Sequence, residues 1–145
     1  MFVGKFRHSV DAKGRLAIPA KFREQLPSGS VVSIAPDDCL RCYGPGEWAA
    51  VSREHTVSGA TTSIERNLVR RLFADASELE FDGQGRALIP ASLRQAAGLG
   101  ATAVVVGVNN VVEIWSEDRW DALENQTAKD FTRLADEVAN SRRAP

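Results

Sequence analysis

The sequence predicts an α+β fold built from two tandem copies of one small unit. The main observation is a repeat: DAKGRLAIPAKFR over residues 11–23 returns 71 residues later as DGQGRALIPASLR over 82–94, with seven identical positions. Short apolar runs typical of strands flank each copy, and apolar residues at helical spacing follow. Solenoid repeats are shorter, roughly 20 to 50 residues, so each copy is a small domain-sized unit.

Length and composition set the outer bounds. Units of about 70 residues are marginal alone, so the two halves of this 145-residue chain are expected to fold together. A hydrophobic content of 43% and a charged content of 26% argue against wholesale disorder. The sequence shows neither an apolar run near the ~20 residues of a membrane span nor a signal segment, which predicts a protein of the cytoplasm.

In the first unit, residues 1–75, the motif itself predicts a hairpin. Asp11 in the first position and Gly14 in the fourth fit a type I turn with a left-handed glycine, the geometry of a bulged hairpin. Pro19 suits the first turn of a helix. The predicted elements are strands at 2–10, 15–18, 31–35 and 40–43, and helices at 19–26, at 47–55 and around Ile64, Leu68 and Leu72; residues 58–63 are linker-like.

The second unit, residues 76–145, repeats this plan. Ser116 is predicted to cap a helix, since Glu117 and Asp118 follow in its first turn. The predicted elements are strands at 78–81, 86–89, 102–107 and 111–115, a helix from Pro90, and a last helix with Phe131, Leu134, Ala135 and Val138 on one face. Residues 142–145 are expected to fray.

The two cysteines form one C-x-x-C, Cys39 to Cys42. A zinc site would need two more ligands, and the histidines, His8 and His55, fall in other predicted elements. The segment reads as a strand with alternating faces, so we expect reduced thiols in or beside the core, with no metal and no cofactor.

Charge is distributed unevenly along the chain. Net charge is -1, yet residues 1–23 carry six basic residues against one acidic residue, whereas the segment from Glu113 onward carries eight acidic residues against five basic ones. Such polarity focuses a field on one face of a protein that is nearly neutral. Within each turn, Arg15 or Arg86 would project from a rigid rim, where a guanidinium can bind guanine O6 and N7 together. The alternative is that the Asp and Arg residues only close the turn.

The opening Met1-Phe2-x-Gly4 and the doubled D-x-x-G-R-x-x-I-P-A, each with a trailing Arg, closely resemble the MraZ family. The resemblance implies two SpoVT/AbrB-like units that form a swapped-hairpin β-barrel with flanking helices. It also implies a bacterial transcriptional regulator, at the nucleoid, that binds G-rich direct repeats of double-stranded DNA in the promoter of its own cell-division and cell-wall operon. Family members form closed homo-oligomeric rings.

By position, the resemblance assigns DNA contact to Arg15 and Arg86, with Asp11, Gly14, Asp82 and Gly85 supporting the turns. We expect the further basic residues of unit one to contact phosphates, which adds salt-dependent affinity; they are Lys5, Arg7, Lys13 and Lys21. Their counterparts in unit two are Ala76, Glu78, Gln84 and Ser92. Unit one is therefore predicted to supply most of the DNA contact. The tryptophans Trp48, Trp115 and Trp120 are predicted to lie in the core rather than between subunits.

Two rival functions would require other sequence features. An enzyme could pair Asp11 with Asp82, but each lies beside an Arg that should keep it ionised, and no small-molecule substrate or catalytic residue is predicted. An AbrB-like antidote or protein-interaction module would wrap its target with a disordered tail. Here helical periodicity continues through Val138, which leaves only a short tail.

Overall fold

The computed structural model describes residues 1–143 and contains eight strands and six α-helices within that range. The strands are β1 (Phe2–Ser9), β2 (Arg15–Ala17), β3 (Val31–Ala35), β4 (Cys39–Tyr43), β5 (Ser77–Glu78), β6 (Arg86–Leu88), β7 (Thr102–Asn109) and β8 (Val111–Ser116). The helices are α1 (Ala20–Arg23), α2 (Pro45–Glu54), α3 (Ser63–Ala74), α4 (Ala91–Ala97), α5 (Glu117–Thr127) and α6 (Phe131–Arg143). The predicted α+β class is confirmed.

Strands from the two halves pair with each other. β1 of the first half pairs antiparallel with β7 of the second, β4 pairs with β8, and β2 pairs with β6. The main sheet has six strands in the order β1-β7-β8-β4-β3-β5, and β2 and β6 form a separate two-stranded ribbon. The halves therefore fold as one body, as their small size predicted. The main sheet stays open, with β1 and β5 at its edges, so the expected swapped-hairpin barrel is not confirmed.

The six-stranded sheet buries side chains on both faces. On one face the ribbon, α1 and α4 contribute Leu16, Phe22, Ile89 and Leu93 to the larger core. On the other face Val104 and other residues of the sheet form a smaller cluster that α5 covers. Because side chains of a strand alternate between faces, each central strand serves both clusters.

The three tryptophans pack within the fold, as predicted: Trp115 is buried, and Trp48 and Trp120 are half-buried. Trp48 packs between Tyr43 and Phe73, with ring centroids 5.3 and 5.0 Å away. Trp115 meets Trp120 edge to face at 5.7 Å. These contacts join α2, α3 and α5 to the sheet.

Most predicted elements are present, and three differ from expectation. The helix predicted at 19–26 is α-helical only over Ala20–Arg23, because the turn before Pro27 tightens into i to i+3 hydrogen bonds. The strand predicted at 78–81 shortens to Ser77–Glu78, since Phe81 forms only an isolated bridge to Ala87.

The third difference is at the C-terminal end. α6 continues through Arg142 and Arg143, so the expected fraying is wrong for these two residues, and residues 144–145 lie outside the described range. The predicted cap of α5 is confirmed, since the Ser116 side chain accepts a hydrogen bond from the Arg119 N–H at 3.1 Å. Between residues 1 and 143, no helix is long and apolar enough to cross a membrane.

Candidate nucleic-acid interface

Each copy of the repeated motif folds into the predicted hairpin turn. We call residues 11–15 the first turn and residues 82–86 the second turn. The Gly14 N–H donates to the Asp11 carbonyl at 2.9 Å, and Gly14 has φ +88°, a left-handed value that glycine adopts without steric cost. Gly85 does the same with Asp82 at 3.0 Å and φ +75°. The glycine at the fourth position is therefore a geometric requirement of the turn.

The aspartate of each turn accepts hydrogen bonds from the residues that follow it. In the first turn, Asp11 Oδ1 accepts from the Lys13 and Arg15 N–H groups at 3.0 and 2.9 Å, while Oδ2 accepts from Arg15 Nε at 2.6 Å. The Arg15 N–H and guanidinium bonds lower the pKa of Asp11 below its ordinary value. The carboxylate thus stays ionised, holds the turn and aims the guanidinium.

The second turn reproduces this arrangement. Asp82 Oδ1 accepts from the Gln84 and Arg86 N–H groups at 2.9 and 3.0 Å, and Oδ2 accepts from Arg86 Nε at 2.9 Å. The pKa of Asp82 is lowered, chiefly by the Arg86 N–H bond. Two separate stretches of sequence therefore present an arginine in the same orientation relative to its turn.

The ribbon brings the two arginines together on one surface. In the β2–β6 register Arg15 lies opposite Leu88 and Ala17 opposite Arg86, whereas Leu16 between them is fully buried. Arg15, Ala17, Arg86 and Leu88 consequently share the outer face of the ribbon. We call this face, with both turns, the two-turn surface. Asp11 pairs with both arginines, since its Oδ2 also lies 3.7 Å from Arg86 Nη1.

The arginines of the two-turn surface keep donors available for a ligand. Their side chains are 36% and 27% exposed. Within residues 1–143, neither terminal nitrogen of Arg15 donates a hydrogen bond, and Arg86 has only its longer contact to Asp11. An aspartate that engages Nε and leaves the outer nitrogens open suits bidentate recognition of a planar acceptor pair.

The predicted phosphate-contacting residues divide between two places. Lys13 is exposed within the first turn, beside Arg15. Lys21 is also exposed and lies with Nζ 4.7 Å from the centroid of the Phe6 ring, a cation–π contact. These two lysines sit in the hairpin and helix of the first motif copy.

Lys5 and Arg7 lie elsewhere, on the face of the sheet that α5 covers. They pair in register with Val106 and Val104, which belong to the smaller core cluster on that face. Arg7 forms ion pairs with Glu117 at 2.9 Å and Asp121 at 2.7 Å, and these hydrogen bonds raise its pKa. Lys5 pairs with Glu124. The acidic residues recur at i, i+4 and i+7 and so share one side of α5.

Three residues of this region were missed at the level of sequence. Leu88 is 59% exposed beside Arg15 on the two-turn surface. Arg23 and Arg94, the trailing arginines of the motif, contact the turn glycines of the opposite unit. The presence of an arginine at this position in both copies indicated a common role. The sequence could not show that the role is contact with the opposite turn, because the contacted glycine lies about 70 positions away.

The predicted placement of the two cysteines in a core strand is confirmed. Cys39 and Cys42 are both free and buried, and they belong to the clusters on opposite faces of β4. Burial raises the pKa of each thiol to about 12. Between residues 1 and 143, no group of three or more His, Cys, Asp and Glu side chains is placed to hold a metal ion.

The fold and the site define a protein of two tandem units whose motif turns meet in one ribbon. The chain matches the family model described as "MraZ protein, putative antitoxin-like" twice, over residues 1–71 and 72–141. It is 45% identical over 138 residues to the protein called Transcriptional regulator MraZ of Ligilactobacillus salivarius (strain UCC118), an alignment that covers 95% of this chain and 96% of the relative.

Similar proteins with the same name come from other bacteria. Identity is 44% over 138 residues with the protein of Pediococcus pentosaceus, which covers 95% of this chain and 96% of that protein. It is 42% over 140 residues with the protein of Desulforamulus reducens, which covers 97% and 99%. The chain belongs to the MraZ family, as the repeated motif predicted.

Proposed function

We propose that this protein is a sequence-specific DNA-binding transcriptional regulator, and that the two-turn surface reads the DNA. The observation that carries the proposal is the convergence of both motif copies on one ribbon, with each arginine held by an aspartate and its outer nitrogens left open. The name of the relatives, Transcriptional regulator MraZ, supports the same class. The lowered pKa values of Asp11 and Asp82 suit fixed charges rather than proton-transfer catalysts.

In this proposal Arg15 and Arg86 bind guanine O6 and N7, which fits G-rich sites. Lys13 contacts phosphate next to Arg15, and Lys21 extends the basic surface of unit one. Lys5 and Arg7 reach phosphates only by giving up their carboxylate partners on α5. Gln84 replaces Lys13 in the second turn, so unit one supplies most of the contact.

The finer architecture follows from the family resemblance and from the interleaved strands. We propose that units 1–75 and 76–145 form a swapped-hairpin barrel, and that several copies of the chain assemble into a closed ring. A ring would engage successive direct repeats in the promoter of its own operon and raise avidity by ~10² to 10⁴ where the geometry permits. Such a regulator acts in the cytoplasm, at the nucleoid.

The test is a selection of bound fragments from random duplex DNA at two salt concentrations. The proposal expects enrichment of tandem G-rich elements and weaker recovery at the higher salt concentration. On a selected site, Arg15→Ala should lose roughly 5- to 150-fold in affinity, the equivalent of one bidentate guanine contact, and Arg86→Ala should lose less. Arg53→Ala, exposed on α2, is the matched control and should bind as the parent protein does. Recovery of random sequence would overturn the proposal.

Two observations favour a second function, that of an antidote or protein-interaction module. α6 exposes an apolar stripe in which Phe131 is 77%, Leu134 36% and Val138 51% exposed, and the family description includes the word antitoxin-like. The helix is ordered through Arg143, unlike the disordered tail that such modules use. Purification of the chain from its source separates the two functions, since an antidote carries its target protein with it.

A further inference from the structure

The trailing arginines of the motif, Arg23 on α1 and Arg94 on α4, are half-buried. Neither forms an ion pair with an acidic residue in the part of the chain that the structure describes. A guanidinium removed from water needs hydrogen-bond acceptors. Arg23 donates to the Ile18 carbonyl and Arg94 to the Ile89 carbonyl. Each arginine thus turns back to the isoleucine that follows the strand of its own motif copy.

The same end of each guanidinium, Nη1 with Cζ, also lies against the opposite unit. A Cβ built on Gly14 of unit one would lie 2.5 Å from Cζ of Arg94 in unit two. A Cβ built on Gly85 of unit two would lie 2.5 Å from Cζ of Arg23 in unit one. Glycine is required at both positions for this second reason, because any side chain would displace the guanidinium.

The backbone completes the same crossed contact. The Ile89 N–H donates to the Gly14 carbonyl at 2.9 Å, and the Ile18 N–H donates to the Gly85 carbonyl at 3.1 Å. Each turn glycine therefore has two contacts with the other unit. The isoleucine N–H donates to its carbonyl, and the guanidinium that binds the carbonyl of that same isoleucine lies against its Cα.

We propose that Arg94 is a positioning residue for the first turn and Arg23 a positioning residue for the second, so that each unit sets the DNA-reading arginine of the other. The DNA part of this inference rests on the proposed function. Its structural part does not, because it concerns how firmly the turns are held.

Hydrogen–deuterium exchange on the full chain, followed by mass spectrometry, tests the structural part without DNA. In Arg94→Ala, exchange should rise about tenfold in peptides that span 10–17, with little change in peptides that span 81–88. Arg23→Ala should give the reverse pattern. Arg53→Ala is the control and should change neither. The inference would be overturned if exchange rose mainly in the turn of the unit that carries the substitution, or rose equally in both turns.

A conservative variant separates positioning from folding. Arg94→Lys keeps a cation that can donate to the Ile89 carbonyl but cannot cover Gly14 with a planar group. It should show intermediate exchange in the first turn, and it serves as the test if Arg94→Ala does not fold. Full recovery with lysine would contradict the role given to the guanidinium plane.

Affinity measurements test the part that rests on DNA binding. Arg94→Ala combined with Arg15→Ala should lose no more affinity than Arg15→Ala alone, whereas its combination with Arg86→Ala should lose the product of the two single effects. If the parent protein binds no DNA but each arginine variant loosens the turn of the other unit, the proposed function fails and the contact between the units stands. If DNA binds but Arg94→Ala does not act through Arg15, this inference fails and the proposed function stands.

Discussion

At the residue scale, the repeated motif is a set of complementary backbone and side-chain requirements. Asp11 supplies acceptors for its own turn, Gly14 supplies a left-handed φ, and Arg15 binds Asp11 through Nε. Each of these roles is local, so each could be foreseen from five residues. The repetition of all three in residues 82–86 shows that they act together.

The first prediction concerns the turn glycines. Gly14→Ala and Gly85→Ala should each lower the free energy of unfolding by about 1 to 3 kcal/mol, because a left-handed backbone is strained for alanine and because the new Cβ meets a guanidinium. Urea denaturation measures the change. Gly83→Ala in the second turn is the matched control, since a Cβ there meets no atom within 4 Å. Similar losses in all three variants would contradict this explanation.

The second prediction concerns pH. The folded-state pKa values of Asp11 and Asp82 are lowered, so their stabilising contribution is present above the ordinary Asp pKa of about 3.9 and is lost as pH falls through the lower folded values. Asp11→Asn with Asp82→Asn preserves the acceptor of each turn but cannot titrate. The melting temperature of this double variant should therefore fall less steeply than that of the parent protein between about pH 5 and pH 2. Parallel curves would show that the turn carboxylates are not linked to folding.

At the element scale, strand alternation decides which side chains share a surface. β1 places Phe6 towards the larger core and Arg7 towards the acidic side of α5. β4 likewise directs Cys42 into the larger core and Cys39 into the smaller one. Neighbours in the sequence thus have unrelated environments, while residues two apart share one.

The third prediction follows for the cysteines of β4. Because burial raises the pKa of both thiols to about 12, neither is a thiolate at neutral pH. An aromatic disulfide reagent should label neither Cys39 nor Cys42 in the folded protein at pH 7 and should label both after denaturation in urea. Rapid labelling of either thiol in the native protein would refute their burial.

At the scale of the whole molecule, the fold separates the basic residues of the first 23 positions into two groups. Four of the six lie on the side of the ribbon: Lys13, Arg15, Lys21 and Arg23. The other two, Lys5 and Arg7, lie on the α5 side of the sheet. The acidic residues of α5 neutralise the charge of the second group through ion pairs with Lys5 and Arg7. The polarity seen in the sequence therefore partly cancels within the fold.

The fourth prediction compares the two groups through the salt dependence of DNA binding. Lys13→Gln should reduce the slope of log K against log salt by about 0.9, because one phosphate contact is lost. Arg7→Gln should reduce it by less, because Arg7 must break ion pairs with Glu117 and Asp121 before it reaches a phosphate. Equal reductions would mean that breaking these ion pairs costs no measurable free energy when DNA binds.

The helices, strands and turns could be predicted from the sequence because they depend on local chemistry. The prediction failed where long-range packing decides which side chains are buried. The stripe of Ile64 and Leu68 correctly predicted α3, yet these side chains are 81% and 55% exposed, while Val69 of the same helix is buried. Periodicity identifies a helix, but the surface against which the helix packs is set by the other elements.

By itself, the sequence determined that one unit occurs twice, that each copy makes an Asp-to-Gly turn followed by an arginine, and that the chain belongs with the MraZ family. The turn and its arginine follow from residues within one copy of the motif, and the repeat follows from the match between residues 11–23 and 82–94. Only the tertiary structure decided that β2 pairs with β6, that Asp11 reaches Arg86 as well as Arg15, and that Arg94 lies against Gly14. Such contacts join residues roughly 70 to 80 positions apart, and no local propensity encodes them. They exist because neither half can bury its core without the other.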